Sequence, residues 1–182
     1  MSHFIIKLVK FALWGIVLLF VTSHGAPAVP GDAGLPYDGA YLLRADGETT
    51  LLLEGQGVYE KVEESWGDGS QAMLKLHLSN TCADSPHYLG IFIARPKKEA
   101  PLTIGSTYKI NGEIQGFLSN IDGVFGFASI NALGEQPFFA KKGSLTIGHI
   151  GEGVLRGTLA LSLTNVQGKT IGLNGGFSAV RK

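Results

Sequence analysis

The strongest constraint on the fold of this chain is the repeated alternation of apolar and polar residues in short segments separated by turn residues. The clearest segment runs from Gln71 to Ser79, where alanine and leucine occupy every second position. This period of two is typical of a half-buried β-strand. Turn signals recur about every ten residues, as in sandwiches and barrels. The sequence therefore predicts one all-β domain, an antiparallel β-sandwich or a small closed barrel of about 9 to 11 strands.

Two dipeptides predict β-hairpins. Asp46-Gly47 lies between the segments Tyr41 to Arg44 and Thr49 to Glu54, and Asn111-Gly112 lies between two further apolar segments. Both dipeptides favour the type I′ turn, whose two central residues need positive φ. We therefore expect a two-residue turn at each site.

The closing segments, Leu155 to Leu163 and Ile171 to Ala179, alternate over the longest stretches and contain no proline. Because proline is largely confined to edge strands, these two strands are expected to have neighbours on both sides. Between Val58 and Trp66 the apolar spacing fits a strand or one short helix equally well.

Composition excludes some classes of protein. Glycine accounts for 26 of 182 residues, and the hydrophobic fraction of 45% is high enough for a real core, which excludes general disorder. Removing Lys7 and Lys10 with a leader leaves 13 basic and 15 acidic residues, a net charge of −2. A nucleic-acid-binding protein would carry a basic surface, so nucleic acid is not an expected partner.

The N-terminus has the pattern of a signal peptide. Two lysines precede an apolar run from Phe11 to Val21, and small residues follow, with cleavage expected after Gly25 or Ala28. Residues 1–25 are therefore interpreted as a signal peptide, 26–37 as an extended linker and 38–182 as the domain. This interpretation places the protein in the periplasm or outside the cell, without stable membrane insertion. The alternative is an inner-membrane anchor formed by an uncleaved N-terminal helix.

One loop, Asn80 to His87, carries most of the chemically distinctive side chains. Cys82, Asp84 and His87 offer a thiol, a carboxylate and an imidazole, and they are the candidate ligand- or partner-binding residues. Imidazole and thiolate suit zinc, so His77, Cys82 and His87 are the candidate metal ligands. Cys82 is the only cysteine, so it cannot form an internal disulfide and is left as a candidate for a disulfide with a partner. The simpler interpretation is a polar connection between two strands.

The last forty residues resemble known sequences. The segments Gly143 to Ile147, Gly153 to Leu159 and Leu173 to Ala179 combine glycines with alternating leucines, and this pattern resembles the closing strands of uncharacterised exported bacterial all-β proteins. The resemblance implies an exported sandwich or small barrel, and it implies no activity and no site residues.

These observations favour a non-enzymatic binding protein of the cell envelope, whose partner is an envelope protein or a small ligand. No complete catalytic motif is present, and no cofactor is expected. The first alternative is a carrier of the calycin type, with Phe92, Phe117, Phe125 and Phe127 lining an internal cavity for a small hydrophobic ligand. The second alternative is an envelope hydrolase.

Overall fold

The computed structural model describes residues 35, 37–66, 69–81, 84–96, 102–110 and 123–182. Within them lie nine β-strands and one short 3₁₀ helix, Asn131–Leu133. The strands are β1 Ala40–Asp46, β2 Thr50–Trp66, β3 Gly69–Asn80, β4 His87–Pro96, β5 Thr107–Lys109, β6 Gly123–Ile130, β7 Phe138–Gly151, β8 Val154–Asn165 and β9 Thr170–Arg181.

Eight of these strands form a closed antiparallel barrel, so the prediction of an all-β domain is confirmed and the barrel alternative is the correct one. The order around the barrel is β1-β2-β3-β4-β6-β7-β8-β9, and β9 pairs with β1 to close it. Each described strand of the barrel follows its neighbour in the chain, as in up-and-down barrels. The short strand β5 pairs with β7 beyond the point where β6 stops.

The apolar side chains of every second residue point into the barrel and form its core. On β3 these are Leu74, Leu76 and Leu78, which confirms the alternation expected there. On β8 and β9 the predicted leucine faces are also buried, and both strands have neighbours on each side, as expected. Twenty-six buried residues from eight strands form one continuous core. Burial of this apolar surface is the main source of stability for such a barrel.

The predicted hairpin at Asp46-Gly47 is present, but its turn differs from the expected one. Asp46 pairs with Thr50, so the turn holds three residues, 47–49, and Gly47 does not have positive φ. The Asp46 carboxylate accepts hydrogen bonds from Arg44 Nε at 2.8 Å and Thr50 Oγ1 at 3.0 Å, which hold the wider turn. The second predicted hairpin, at Asn111-Gly112, lies outside the described residues.

Residues 58–66 and 138–151 both lie in long strands of the sheet. The segment from Val58 to Trp66 is a strand, the second half of β2. Residues 138–151 form the single strand β7, with register shifts between Ala140 and Lys142 and between Ile147 and His149. These bulges allow one strand to bend around the barrel wall.

The expected leader, residues 1–25, lies outside the described residues, as does most of the expected linker. The described domain starts with a turn in which the amide of Ala40 donates to the carbonyl of Tyr37 at 3.3 Å. Asp38 binds Arg156 Nη2 of β8 at 2.7 Å, which fastens the start of the domain to the barrel wall. Within the described part of the chain, no helix has the length and apolar character needed to cross a membrane.

Candidate functional site

A cleft of about 650 Å³ lies on the barrel rim where β3 ends beside β2. We call it the rim cleft. It exists because β3 stops at Asn80, opposite Gly55, while the β1–β2 hairpin continues past that point. Its polar lining residues are Tyr37, Tyr41, Glu54, Gln56, Ser79, Asn80 and Thr81. Its volume is in the range of small-molecule sites.

A buried tyrosine and a buried histidine form a pair beneath the rim cleft. Tyr41 of β1 is 2% exposed and His87, the first residue of β4, is 7% exposed. The Tyr41 hydroxyl lies 2.5 Å from His87 Nε2, and His87 Nδ1 lies 3.0 Å from the carbonyl oxygen of Ser85. A carbonyl oxygen only accepts, so Nδ1 carries a proton and donates it. Nε2 of such a neutral imidazole carries no proton, so it accepts the hydrogen bond that the Tyr41 hydroxyl donates.

The Tyr41 hydroxyl has room because its partner on β2 is a glycine. Tyr41 pairs with Gly55, and a Cβ at position 55 would lie 2.8 Å from the Tyr41 hydroxyl and would overlap the carbonyl oxygen of Ser79. Real Cβ atoms do not approach other atoms so closely. Gly55 therefore allows the tyrosine hydroxyl to reach His87 at the floor of the cleft.

The electrostatic environment keeps Tyr41 protonated. Burial, and secondarily the nearby carboxylate of Glu54, raises the pKa of the Tyr41 hydroxyl above its usual value. Removing the proton would place a negative charge in an apolar wall beside another negative charge. Tyr41 is therefore a neutral hydrogen-bond donor to His87 at physiological pH.

The structure separates the residues of the predicted loop site. Asp84 is exposed in the turn between β3 and β4, whereas His87 faces the barrel interior. Cys82 lies outside the described residues. His77 lies on the outer face of β3, so it does not share a face of the sheet with His87. The described residues contain no group of three or more His, Cys, Asp or Glu side chains able to hold a metal ion.

Three of the four phenylalanines expected to line an internal cavity lie on the outside of the barrel. Phe92, Phe125 and Phe127 alternate with buried inward residues, and none of the three belongs to the core. The rings of Phe92 and Phe125 stack at a centroid distance of 4.9 Å. The rings of Phe92 and Phe127 stack at 6.3 Å. Phe117 lies outside the described residues.

These phenylalanines extend into an outer aromatic cluster that also contains His77 and Tyr88. The Tyr88 hydroxyl is hydrogen-bonded to His77 Nδ1, and His77 Nε2 lies 3.8 Å from the Glu60 carboxylate. Burial, and secondarily Glu60, raises the pKa of Tyr88. The Phe127 ring covers Gly90, where a Cβ would lie 2.8 Å from that ring. The cluster is a second apolar layer that shields the outer face of β4 and β6.

The chain was compared with family models, curated proteins and solved structures. None of them matches.

Replacing Tyr41 with phenylalanine is expected to lower the free energy of unfolding by about 1–3 kcal/mol at pH 7, because it leaves the buried Nε2 of His87 without its donor. The loss should shrink above pH 10. Burial raises the pKa of Tyr41 in the folded protein, so the stability that this tyrosine contributes is present below pH 10 and is lost as the pH rises further. Urea unfolding at pH 7 and at pH 10.5 measures both. An unchanged stability at pH 7 would contradict the hydrogen bond.

Sequence reasoning missed Tyr41, Glu54 and Gln56 as site residues. The available signal was Gly55, a glycine inside an apolar strand, which often marks a close approach of another group. Using that signal requires the register of the β1–β2 hairpin. The expected two-residue turn would place Leu52, not Gly55, opposite Tyr41. The pairing of Tyr41 with Gly55 follows only from the three-residue turn.

Proposed function

We propose that this chain is a non-enzymatic binding protein of the cell envelope and that the rim cleft binds a small polar ligand. The observation that carries the proposal is the cleft itself, in which a carboxylate, two amides and hydroxyl groups surround one concave space. The carboxylate and the two amides lie on paired strands of the barrel, which favours a preformed site. The loop Asn80 to His87 contributes Asn80 and Thr81 to the cleft, and His87 lies beneath it against Tyr41.

The imidazole of His87 is bound in a way that favours binding over catalysis. Nδ1 points to a carbonyl oxygen and Nε2 to a tyrosine hydroxyl, so both nitrogens already have partners. A general base needs a nitrogen within reach of the proton that it removes from a substrate. We therefore assign His87 a supporting position beneath the cleft, where it holds the Tyr41 side chain.

Location in the envelope rests on the sequence of the leader. The apolar run after Lys10 and the small residues near Gly25 support export, and we infer a periplasmic or secreted protein. Retention by an uncleaved N-terminal helix is the alternative. A protein partner that presents a polar segment to the cleft is the alternative to a free small ligand.

The rim cleft predicts which variant abolishes binding. Gln56→Trp places a large ring in the cleft, and Leu52→Trp adds the same ring on the same face of β2, outside the cleft lining. Small polar compounds, namely amino acids, amines, sugars and carboxylates, are screened by thermal shift with the purified protein. At ten times its Kd a ligand should stabilise the protein by about 1.4 kcal/mol, or roughly 4 °C.

The shift should disappear in Gln56→Trp and persist in Leu52→Trp. A library without any binder, or binding that Gln56→Trp leaves unchanged, would contradict the proposal. The carrier alternative predicts a different result, namely uptake of a hydrophobic fluorophore that neither variant alters. Up-and-down barrels of eight strands include such carriers, so uptake that neither variant alters would favour the carrier alternative.

A further inference from the structure

The described lining of the rim cleft carries negative charge and no positive charge. Among its described lining residues Glu54 carries the only charge, and none is basic. The carboxylate of Glu54 is exposed at the mouth of the cleft, and its field reaches the hydroxyl of Tyr41 on the floor. An anionic ligand would be repelled here, and a cation would be attracted.

The floor of the cleft also presents a hydrogen-bond acceptor. The proton of the Tyr41 hydroxyl is directed to His87 Nε2, so the remaining lone pairs of this oxygen accept. This oxygen lies beside Gly55, another lining residue of the cleft, and 2.8 Å from the place that a Cβ of residue 55 would take. A ligand that reaches this point is therefore bound best through a donor group.

An aromatic residue, Tyr37, also lines the rim cleft. Tyr37 is 58% exposed, so its ring is accessible to a ligand. The turn that places it is closed by a hydrogen bond from the amide of Ala40. A tyrosine face attracts a cation within about 6 Å of the ring.

From these three features we infer that the rim cleft is selective for an organic ammonium ion, with Glu54 as its counter-ion, Tyr37 as its aromatic contact and Tyr41 as the acceptor on the floor. The inference rests on the proposed function, since it names the ligand class of that same site. The space of about 650 Å³ accommodates a primary amine attached to a ring or a short chain.

The test uses three probes of nearly equal size, benzylamine, benzyl alcohol and benzoate, which are cationic, neutral and anionic at pH 7. Binding to the purified protein is measured by calorimetry or by shifts of backbone amide NMR signals. Benzylamine should bind at least tenfold more tightly than benzyl alcohol, and benzoate should bind least. The affinity for benzylamine should fall severalfold between 20 mM and 500 mM salt, because salt screens the attraction to Glu54.

Glu54→Gln should weaken benzylamine binding about tenfold and leave benzyl alcohol unchanged. The matched control is Glu48→Gln, which removes an equal charge at the tip of the same hairpin and should leave both affinities within twofold. Circular dichroism verifies that each variant is folded.

The outcomes separate the two proposals. Equal affinities for the amine and the alcohol, with both lost in Gln56→Trp, would overturn the ammonium selectivity and leave the proposed binding function standing. Absence of any binding by the three probes would also overturn the selectivity, and the wider library then decides the proposed function. Weakening by Glu48→Gln as large as that by Glu54→Gln would overturn the role of Glu54.

Discussion

Replacing Gly143 with alanine is expected to lower the free energy of unfolding by about 3–5 kcal/mol. Gly143 lies in β7 opposite Leu161 of β8, with φ of 121°, a conformation that L-amino acids rarely adopt. An alanine Cβ there would overlap the carbonyl oxygen of Ala160 and lie 2.7 Å from Leu161 Cα. Both obstacles are backbone atoms of a paired strand, so relief requires β7 and β8 to separate locally.

A second glycine of the same strand is the control. Gly148 has no positive φ, and a Cβ there would lie 3.8 Å from the carbonyl oxygen of Arg156, an ordinary contact. Gly148→Ala is therefore expected to change stability by less than about 1 kcal/mol. Thermal unfolding followed by circular dichroism measures both variants, and the Gly143→Ala midpoint should fall by roughly 10 °C. Equal midpoints for the two variants would show that β7 does not pass β8 as closely as described.

The local part of the fold could be predicted because strand alternation is a property of neighbouring residues. Leu74, Leu76 and Leu78 lie every second position, and a period of two places them on one face whatever the surrounding fold. The sequence did not decide between a β-sandwich and a closed barrel. Closure of the barrel depends on pairing between Tyr41 and Phe177, residues far apart in the chain, and such pairing leaves no signal in either segment alone.

Alternation alone does not decide which face of a strand points into the barrel when both faces are apolar, and β6 is an example. On β6, Phe125 and Phe127 alternate with Val124, Gly126 and Ala128, so both faces carry apolar residues. The carrier alternative placed these phenylalanines inside the barrel. The interior of an eight-stranded barrel is narrow, and here it accepts the small residues opposite Ile91 and Leu89. The large rings therefore lie outside, where Phe127 covers Gly90.

In the candidate site, too, local features could be predicted from the sequence, and features that depend on long-range pairing could not. The loop after Asn80 could be identified from its composition, and the structure places Thr81 in the cleft and His87 beneath it. The partner of His87 could not be identified, because Tyr41 is 46 residues away and reaches it only through the register of four strands. The side chains of one loop can be identified from the sequence, whereas a contact between distant strands can be identified only from the fold.

Replacing Phe138 with alanine is expected to cost about 3–5 kcal/mol, the range for removing a fully buried phenylalanine ring. Phe138 is 0% exposed and belongs to the core. It begins β7, where it pairs with Ala128 of β6 and Asn165 of β8. Because three strands meet around this side chain, the cavity left by alanine cannot be closed by moving one of them, and the loss should lie in the upper half of the range.

The next residue provides an internal control of identical chemistry. Phe139 is 43% exposed, points to the outer face and pairs with Phe127. Phe139→Ala removes the same ring from a surface that water already contacts, so it is expected to cost about 1 kcal/mol or less. Denaturant unfolding at neutral pH measures the two variants side by side. Equal losses would mean that both faces of β7 are buried, and a larger loss at Phe139 would reverse the inside and outside of the barrel at this strand.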